Sequence, residues 1–296
     1  METTPIEWVD GYVDTKQRKV FTYHEHGIPG LRMFGYHNTS HAIAPLNVHY
    51  HKDCFEFTYM VQGNIRFFVG DKSYPLSGGD MYVTFPNEVH STGNIPMSLH
   101  QMYWFQLETD DPEHLLFLSP EKSRWLVEQL KQLNTRVIKM DSSAESLLRQ
   151  VFSDISAGTE VGKIQAAGLL EVLLCQILVD SRMPCFHMTP DIGRTTDYIL
   201  EHIEQDLTME ELAGVALRSV SRFKQKFKDE MGISPRNFIN FHKIEAAKRM
   251  LQEGLNVTEA AMALGFSGSD YFAVVFRRYT SVSPTQYAKN LEAGKK

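Results

Sequence analysis

Histidines and a glutamate in the first third of the chain are of types that bind metal ions or polar ligands. His49, His51, Glu56 and Gly63 follow the pattern H-x-H-x4-E-x6-G, and His90 lies further along the chain. Side chains two residues apart on a strand point to the same face, so His49 and His51 can point together into a barrel. Imidazole and carboxylate groups suit iron, manganese, nickel or zinc. The pattern allows a divalent metal ion, although the same groups could instead hydrogen-bond a ligand or one another.

A second set of polar side chains lies in two C-terminal segments that share one organisation. The segment from Leu207 reads LTMEELAGVALRSVSRFKQKFKDEMGISP, and the segment from Asn256 reads NVTEAAMALGFSGSDYFAVVFRRYTSVSP. Each predicts a short helix, a tight turn and a second helix that stops before Ser-Pro. The second helix of such a motif enters the major groove of DNA. The chain is therefore predicted to bind double-stranded DNA through two helix-turn-helix motifs.

The apolar residues of these motifs predict which side chains remain exposed. Phe223 and Phe227 are four residues apart and should face the core of the first motif, and Phe272 and Phe276 should do the same in the second. The remaining faces are polar. An alternative interpretation is an all-helical packing domain whose basic residues form only a solvated face. The candidate DNA-binding residues are Ser219, Ser221, Arg222, Lys224, Gln225, Lys228, Ser267, Ser269, Asp270, Arg277 and Arg278.

The distribution of charge is compatible with DNA binding, although the chain has a net charge of −6. From Pro190 onward, 15 lysines and arginines stand against 14 aspartates and glutamates, so the excess of acid lies in the preceding residues. Exposed charges more than about 10 Å apart are largely screened at 0.1 M salt, so local charge matters more than the total. The stretch from Ser219 to Lys228 contains four basic residues and no acid.

Composition and targeting signals favour a cytoplasmic protein. The chain has three cysteines, Cys54, Cys175 and Cys185, with no C-x-x-C spacing, which is typical of a reducing compartment without a zinc site. No run of about 18 apolar residues is present. The N-terminus is acidic and lacks the basic and apolar regions of a secretory signal. We therefore expect no membrane partner.

The period of the apolar residues predicts an α+β multidomain protein. Short alternating runs between Val20 and Leu107 are separated by turn signals and predict a β-barrel or sandwich. Helical periodicity follows in three segments. The last of them is apolar nearly all round, so it either packs against the barrel or forms a dimer seam. The helical segments are 123–133, 143–155 and 162–182.

These patterns divide the chain into three parts. Pro184 and Pro190 cannot continue a helix, and the segment from Arg182 to Pro190 is the predicted linker to the C-terminal part. The predicted domains are a β-barrel in 1–110, a helical linker or dimerisation region in 111–184, and an all-α tandem helix-turn-helix domain in 190–291.

The C-terminal segments LTMEELA, SRFKQKFKDEMGISPRNFI and AAMALGFSGSDYFAVVFRRYTSVSPTQY resemble the AraC/XylS family of transcription regulators. The resemblance implies that both recognition helices enter successive major grooves on one face of DNA. Lys224 and Gln225 of the first helix can read guanine and adenine edges. The second helix has few donors and would mainly hold phosphates through Arg277 and Arg278. Ser281 departs from the family, which usually has glycine at this position.

The N-terminal pattern resembles the two cupin motifs, with Glu88 where the second motif usually has glycine. In metal-dependent cupins, three histidines and a glutamate bind one divalent ion. In AraC-like regulators the same barrel commonly binds a small effector, often a sugar, without a metal. The resemblance thus implies that no cofactor is required, although a divalent metal is allowed. The implied effector-binding residues are His49, His51, Glu56, His90, Tyr59 and Trp104.

The expected function is ligand-responsive transcription regulation rather than catalysis. A small molecule, with carbohydrate as the leading class, would bind the barrel and shift the arrangement of the domains. The implied partners are double-stranded DNA, a second copy of the chain in a homodimer and, for an activator, RNA polymerase. A metal-dependent cupin enzyme fused to a DNA-binding domain is the alternative.

Overall fold

The computed structural model describes residues 4–8, 14–94, 96–141, 143–182 and 188–293. Its contacts divide the chain into two units, which we call the N-terminal unit and the C-terminal unit. The N-terminal unit comprises Met1–Thr39, Pro45–Ile95 and His100–Phe186, and the C-terminal unit comprises Ser40–Ala44, Pro96–Leu99 and His187–Lys296. The predicted linker falls mostly on 183–187, which lie outside the described residues.

A seven-stranded antiparallel sheet forms the framework of the N-terminal unit. Its strands follow the order β2-β3-β8-β5-β7-β9, with β6 paired to β5, and β1 pairs separately with β4 in parallel. The three-residue strand β9 lies beyond the predicted β-rich region. The strands are β1 (Ile6–Glu7), β2 (Arg18–Thr22), β3 (Leu31–Asn38), β4 (His49–Tyr50), β5 (Cys54–Val69), β6 (Lys72–Ser77), β7 (Asp80–Thr84), β8 (His100–Glu108) and β9 (Val137–Lys139).

Strand β5 is the centre of this sheet because it pairs with three neighbours. Its first part lies between β7 and β8, and its second part pairs with β6 from Asn64 to Val69. Alternate side chains of β5 and β8 point to opposite faces. Phe57 and Phe105 lie on the face that joins the main apolar core, whereas Glu56 and Gln106 lie on the other face. On that second face, the polar residues singled out in the sequence form a cluster.

Four helices complete the N-terminal unit: α1 (Tyr23–His26), α2 (Pro120–Lys131), α3 (Ser143–Ala157) and α4 (Glu160–Asp180). Helices α2, α3 and α4 begin and end within a few residues of the predicted segments. Leu148 of α3 and Leu170 and Leu174 of α4 are fully buried in the same core as the strands. The region predicted as a separate helical linker therefore shares one core with the sheet.

Helix α4 is the one described helix that is long and apolar enough to cross a membrane, judged by length and composition alone. From the sequence we expected no such segment. Eight of its residues, among them Leu173 and Ile177, are buried within the N-terminal unit. A core helix passes the same test of length and composition, and these contacts are those of a core helix.

The C-terminal unit contains only helices among its described elements from residue 188 onward. Thr208 and Asn256 begin α6 and α9 in the same way, because each forms a capping box with the glutamate three residues later. The helices are α5 (Pro190–Glu201), α6 (Met209–Val215), α7 (Val220–Met231), α8 (Pro235–Gln252), α9 (Val257–Ala263), α10 (Ser269–Thr280) and α11 (Pro284–Ala293).

Two apolar cores lie in the C-terminal unit, one for each helix-turn-helix motif. Phe223 and Phe227 of α7 are fully buried in the first core, and Phe272 and Phe276 of α10 are fully buried in the second. Helix α8 contributes to both cores. The pairing of aromatic residues predicted from the sequence is confirmed, and so is the α+β fold with a helical C-terminal part.

Candidate functional sites

The histidine cluster lies in the N-terminal unit where β4 meets the segment around His90. His49 and His90 form a bridge in which each backbone amide donates to the carbonyl of the other, at 3.0 and 2.8 Å. The ligand nitrogens of His49, His51 and His90 all lie within 4.8 Å of one another. Their side chains are buried, with exposures of 3%, 1% and 1%. The structure thus brings together three residues that are as far as 41 positions apart in the sequence.

Backbone carbonyls fix the orientation of all three rings. The Nδ1 atom of His49 lies 2.6 Å from the carbonyl oxygen of Asn47, and the Nδ1 atom of His90 lies 3.0 Å from that of Glu88. The Nδ1 atom of His51 lies 3.2 Å from the carbonyl oxygen of Trp8. A ring that donates through Nδ1 presents the lone pair of Nε2 to a ligand, as metal-binding histidines commonly do.

Glu56 completes the cluster. Its Oε2 atom lies 3.2 Å from Nε2 of His51, its Oε1 atom lies 4.0 Å from Nε2 of His90, and Gln106 donates a 2.9 Å hydrogen bond to Oε2. Burial alone would raise the pKa of Glu56, but His51, His90 and the bond from Gln106 together hold that pKa well below its ordinary value. Glu56 is therefore an anion at neutral pH.

The pKa values of the three histidines are shifted in different directions. Burial lowers the pKa of His90 to about 4 and also lowers the pKa of His49. Burial has the same tendency at His51, but the Glu56 carboxylate outweighs it and raises the pKa of His51. Among the described residues, the Nε2 atom of His90 has no hydrogen-bond partner, and the Nε2 atom of His51 lies beside the Glu56 carboxylate. Imidazole nitrogens that converge beside one carboxylate form a donor set that fits a divalent cation.

The two predicted aromatic residues have different places. Trp104 lies on β8 two residues before Gln106, so both side chains point to the face of the cluster. Tyr59 lies three residues after Glu56 on β5 and points to the opposite face, into the main core. The prediction that Tyr59 contacts an effector beside the histidines is therefore corrected by the period of the strand.

Two further polar residues lie on the cluster face that were not predicted from the sequence. Tyr82 and Thr84 of β7 pair with Thr58 and Glu56 of β5, and their hydroxyl groups are buried without a hydrogen-bond partner in the structure. The run of β7 gave no signal for them, because the register between β5 and β7 decides which residues face Glu56. They extend the polar face beyond the predicted residues.

Glu88 has a structural explanation. It forms a bidentate ion pair with Arg136, whose guanidinium carbon lies 5.5 Å from the ring centre of Tyr74 and 5.0 Å from that of Phe85. The glutamate that replaces the usual glycine of the second cupin motif thus fastens the segment before β9 to the sheet. The backbone carbonyl oxygen of Glu88 also lies 3.0 Å from the Nδ1 atom of His90.

The exposed face of α7 forms the first candidate nucleic-acid surface. Ser221, Arg222, Lys224, Gln225 and Lys228 are all exposed, and Ser219 is the N-cap residue of the helix. Gln225 donates a 2.7 Å hydrogen bond to Asp229 on the same helix. Within the described part of the chain, no carboxylate lies within ion-pair distance of the three basic residues among them. These cations are free to meet phosphates or bases.

The exposed face of α10 is chemically different. Ser267, Ser269, Asp270, Arg277 and Arg278 are exposed as predicted, with both arginines in the last turn. The middle of the exposed face is apolar. Val274 is 67% exposed and Tyr271 is 50% exposed, and Met262 of the preceding helix is 74% exposed. The structure therefore places a charged end and an apolar centre on the second motif.

The turns of the two motifs also differ. Leu217 and Gly265 occupy equivalent positions, six residues after the glutamate of each capping box, and both have positive φ, at 54° and 64°. Leucine is strained in this conformation, whereas glycine is not. Ser281, which replaces the usual glycine at the end of α10, has a left-handed φ of 63° as well.

Asp191 forms an ion cluster that the sequence analysis did not predict. It accepts hydrogen bonds from Arg218 at 2.5 Å and from Lys226 at 2.9 Å, and Thr189 donates to it at 2.6 Å. Hydrogen bonds from Thr189, Lys226 and Arg218 hold the pKa of Asp191 well below its ordinary value against the effect of burial. Lys226 also lies 3.5 Å from Glu230. Arg218 and Lys226 thus orient the start of α5 against α7.

Two family models match the chain in these regions. A model described as a helix-turn-helix domain matches residues 212–290, and one described as a cupin domain matches residues 41–98. The first match contains both recognition helices. The second contains His49, His51, Glu56 and His90.

Relatives that match about a third of the chain are named as regulators. The probable transcriptional regulator LumQ of Photobacterium leiognathi is 33% identical over 92 residues, which are 31% of this chain and 37% of that protein. An uncharacterized HTH-type transcriptional regulator of Staphylococcus aureus is 33% identical over 97 residues, which are 32% of this chain and 13% of that protein. The matched part thus spans little more than a third of the first relative and about an eighth of the second.

Solved structures of DNA-binding regulators also match about a third of the chain. The C-terminal domain of AraT, a response regulator from Geobacillus stearothermophilus, is 30% identical and covers 36% of this chain and 88% of that chain, with a TM-score of 0.34. The DNA-binding domain of AdpA, a global transcriptional factor solved in complex with a target DNA, is 25% identical and covers 36% and 97%, with a TM-score of 0.35.

A cupin domain followed by a helical unit with two helix-turn-helix motifs defines the class of two-domain transcription regulators. Within that class, the helix-turn-helix domain that matches residues 212–290 is of the AraC type, and the relatives are named as transcriptional regulators. The chain belongs to the AraC family and carries a cupin domain in its N-terminal part.

Proposed function

We propose that the protein is a sequence-specific DNA-binding transcription regulator whose cupin domain senses a small molecule. The observation that carries the DNA-binding part is the exposed face of α7, where Arg222, Lys224 and Lys228 stand without carboxylate partners among the described residues. Unpaired cations on a recognition helix attract phosphates and donate to base edges. The relatives are named as regulators, which favours this function over catalysis.

The DNA-binding part is tested by selection of duplexes from a random pool with the full chain. We expect enrichment of a bipartite sequence and a strong decrease of affinity with salt, because phosphate contacts release counterions. Lys224→Ala should weaken enrichment at one position of the site. If no sequence is enriched at either low or physiological salt, sequence-specific DNA binding by this chain is refuted.

The sensing part is assigned to the polar face around Glu56. The three histidines, Glu56 and Gln106 line it, Trp104 lies on the same strand face, and the buried hydroxyls of Tyr82 and Thr84 offer further hydrogen bonds. Buried polar groups normally have partners, so these groups favour an occupant. A carbohydrate suits such a face, since its hydroxyls bond to carboxylate, imidazole and hydroxyl groups while its apolar face stacks on an indole ring.

A divalent metal ion is a second candidate occupant of the same cluster, favoured by the converging Nε2 atoms and the carbonyl partners of Nδ1. His49, His51, His90 and Glu56 would hold it, and it would supply a positive centre for oxygen atoms of a ligand. Metal analysis of protein purified without chelators, compared with the double variant His49→Ala and His51→Ala, tests this proposal. About one equivalent of metal in the wild type and none in the variant would support it. No stoichiometric metal in the wild type would overturn it.

The effector class is tested separately by thermal shift with a panel of sugars. A sugar that binds the folded state raises the unfolding temperature, and the increase grows with the logarithm of the sugar concentration once this exceeds Kd. Glu56→Gln should abolish the shift. The cupin-enzyme alternative predicts turnover that disappears in the histidine variants while DNA binding persists. If no sugar in the panel raises the unfolding temperature, the carbohydrate assignment is contradicted.

We also propose a homodimer through α4. Val161, Ile164, Val172 and Val179 form an exposed apolar stripe along the helix. Gly168 continues the stripe, and nothing lies within 4 Å of the position of an added Cβ there. A twofold axis near the middle of α4 would place Val161 opposite Val179 and Gly168 opposite Val172 of the partner. This antiparallel pairing makes the stripe self-complementary, as a twofold interface requires.

Sedimentation velocity tests the dimer. Val172→Glu should convert the protein to monomer, because a carboxylate would be buried without a partner. Leu200→Glu, at an exposed leucine of α5, is the matched control and should leave the dimer intact. A wild-type chain that sediments as a monomer at micromolar concentration would contradict the proposal. If the regulator is an activator, RNA polymerase is a further partner, and transcription in vitro from the selected duplex would reveal its recruitment.

A further inference from the structure

Lys243 lies in the middle of α8, the helix between the two helix-turn-helix motifs, and its ammonium group is buried. The residue is only 5% exposed. Its Nζ atom donates to the carbonyl oxygen of Gln205 at 2.8 Å and to that of Leu264 at 2.6 Å, and lies 5.3 Å from the ring centre of Phe266. Lysine is almost never buried without partners. Here two backbone carbonyls and an aromatic face take the place of a carboxylate.

The two carbonyl groups belong to different motifs. Gln205 precedes α6 of the first motif, whereas Leu264 is the C-cap residue of α9 in the second. The carbonyls at a helix C-terminus carry partial negative charge and attract cations. Lys243 therefore joins three segments of the C-terminal unit, namely α8, the loop before α6 and the end of α9.

The separation of the two apolar cores gives this junction its importance. Phe238 and Ile239 of α8 lie in the first core, and Ile244 and Ala247 lie in the second, so Lys243 stands where one core gives way to the other. Apolar packing has no preferred direction. Two charge-assisted hydrogen bonds of defined geometry do have one, so they can fix an angle that packing alone leaves loose.

A second contact at the same junction comes from the turn of the second motif. A Cβ atom added at Gly265 would lie 2.9 Å from the carbonyl oxygen of Glu204 and 3.0 Å from the carbonyl carbon of Gln205. The backbone of this turn thus packs directly on the loop that receives Lys243. The junction has no space for a side chain at Gly265.

We propose that Lys243 is a positioning residue that fixes the angle between the two motifs, so that α7 and α10 bind the same duplex together. This inference rests on the proposed DNA-binding function and adds a specific residue to it. Once one motif is bound, binding of the second is intramolecular, and its effective concentration depends on correct geometry. Loss of the angle should cost the joint binding while each motif still binds DNA by itself.

The probes for the test are a duplex of about 30 base pairs selected by the wild-type chain and two fragments that each retain one half of it, since half-sites one turn apart span 10–10.5 base pairs between centres. The variant is Lys243→Met, which keeps an unbranched side chain one atom shorter than lysine and removes the donor to both carbonyls. Lys243→Arg retains a cation with several donors. Lys248→Met is the matched control, because Lys248 lies on the same helix and pairs only with Glu245 among the described residues.

We expect Lys243→Met to bind the full duplex at least about tenfold more weakly than the wild type, with affinity for each half fragment unchanged within about twofold. Its hydroxyl-radical footprint should shrink from two protected segments to one. Lys243→Arg and Lys248→Met should resemble the wild type. A merely structural role would instead weaken the full duplex and the fragments alike, and that result would overturn the inference, as would a two-segment footprint with full affinity.

Gly265→Ala provides an independent variant if Lys243→Met does not fold. It disturbs the same junction from the other side, and the same loss of joint binding is expected. Unchanged affinity of a folded Gly265→Ala protein for the full duplex would overturn the inference. A wild-type chain that selects no duplex would instead refute the DNA-binding function, so the two failures are distinguishable.

Discussion

The two helix-turn-helix motifs share an internal construction but differ in the surfaces that they expose. Each begins with a capping box, turns at a residue with positive φ and buries two phenylalanines of its second helix. The exposed face of α7 is basic and rich in hydrogen-bond donors, whereas the middle of the exposed face of α10 is apolar. The fold of a motif is thus set by its buried residues, and its reading of DNA by a separate set of exposed ones.

The difference assigns unequal roles within the proposed function. Lysine and arginine side chains donate to guanine, but alanine and valine can contact at most a thymine methyl group. Phosphate contacts hold the protein on the duplex without reading its sequence. We infer that the first motif supplies most of the sequence preference, and that Arg277 and Arg278 of the second supply affinity.

The largest effect is expected where the motifs are alike. Phe223→Ala and Phe272→Ala should each destabilise the C-terminal unit by about 3–5 kcal/mol, because each removes a fully buried ring and leaves a cavity. Urea denaturation followed by circular dichroism measures both. If one substitution lowers the free energy of unfolding by less than about 1 kcal/mol, the two cores are not equivalent. The two motifs would then not share one internal construction.

The next effect separates the recognition helices. Lys224→Ala should reduce discrimination at one base pair by about 1–3 kcal/mol, as expected for loss of a good side-chain contact with a base. Gln225→Ala should have a smaller effect, because its amide already donates to Asp229. Val274→Ala on α10 is the control and should change base preference by less than about 0.5 kcal/mol. Competition binding with single-base-pair variants of the selected duplex measures all three, and a Val274→Ala effect as large as that of Lys224→Ala would remove the distinction.

The turns provide a smaller test. Leu217→Gly should stabilise the protein by about 1 kcal/mol, because leucine is strained at the φ of 54° that this position adopts and its side chain is 84% exposed. Gly265→Ala should instead destabilise the protein, since the methyl group would meet backbone atoms within about 3 Å. Thermal unfolding gives both signs, and destabilisation by Leu217→Gly would show that the leucine has a contact of its own.

The smallest effect concerns phosphate contacts. Arg278→Ala should weaken binding to all duplexes to a similar extent and reduce the slope of log K against log salt by about 0.9, the value for one lost phosphate contact. Titrations at four salt concentrations, on the selected duplex and on an unrelated duplex, measure this slope. A loss confined to the selected duplex would make Arg278 a reader of bases and contradict its assigned role.

Regular features of this fold follow from sequence because they depend on local periodicity. The aromatic pairs, the capping boxes and the helix from Pro235 to Gln252 need only neighbouring residues to define them. Strand β9 is too short to show a period, and it forms only because β7 offers it a partner. Local sequence could not supply that partner.

The candidate sites divide in the same way. The spacing of His49 and His51 predicts that they share a face, but the place of Tyr59 required the period to be followed through β5, and Tyr82 and Thr84 required the register with β7. Asp191 contacts Arg218 and Lys226, which are 27 and 35 residues away, and Lys243 contacts the carbonyl of Gln205, which is 38 residues away. Contacts of this kind depend on tertiary packing and leave no pattern in the sequence.

In the proposed division of roles, one motif reads the sequence and the other mainly holds the DNA backbone. The most direct test of this division is a scan in which every base pair of the selected duplex is substituted in turn and the affinity of the wild-type chain is measured. We predict that substitutions costing about 1–3 kcal/mol cluster in the half contacted by α7, with much smaller costs in the half contacted by α10. Costs of equal size in both halves would contradict the claim.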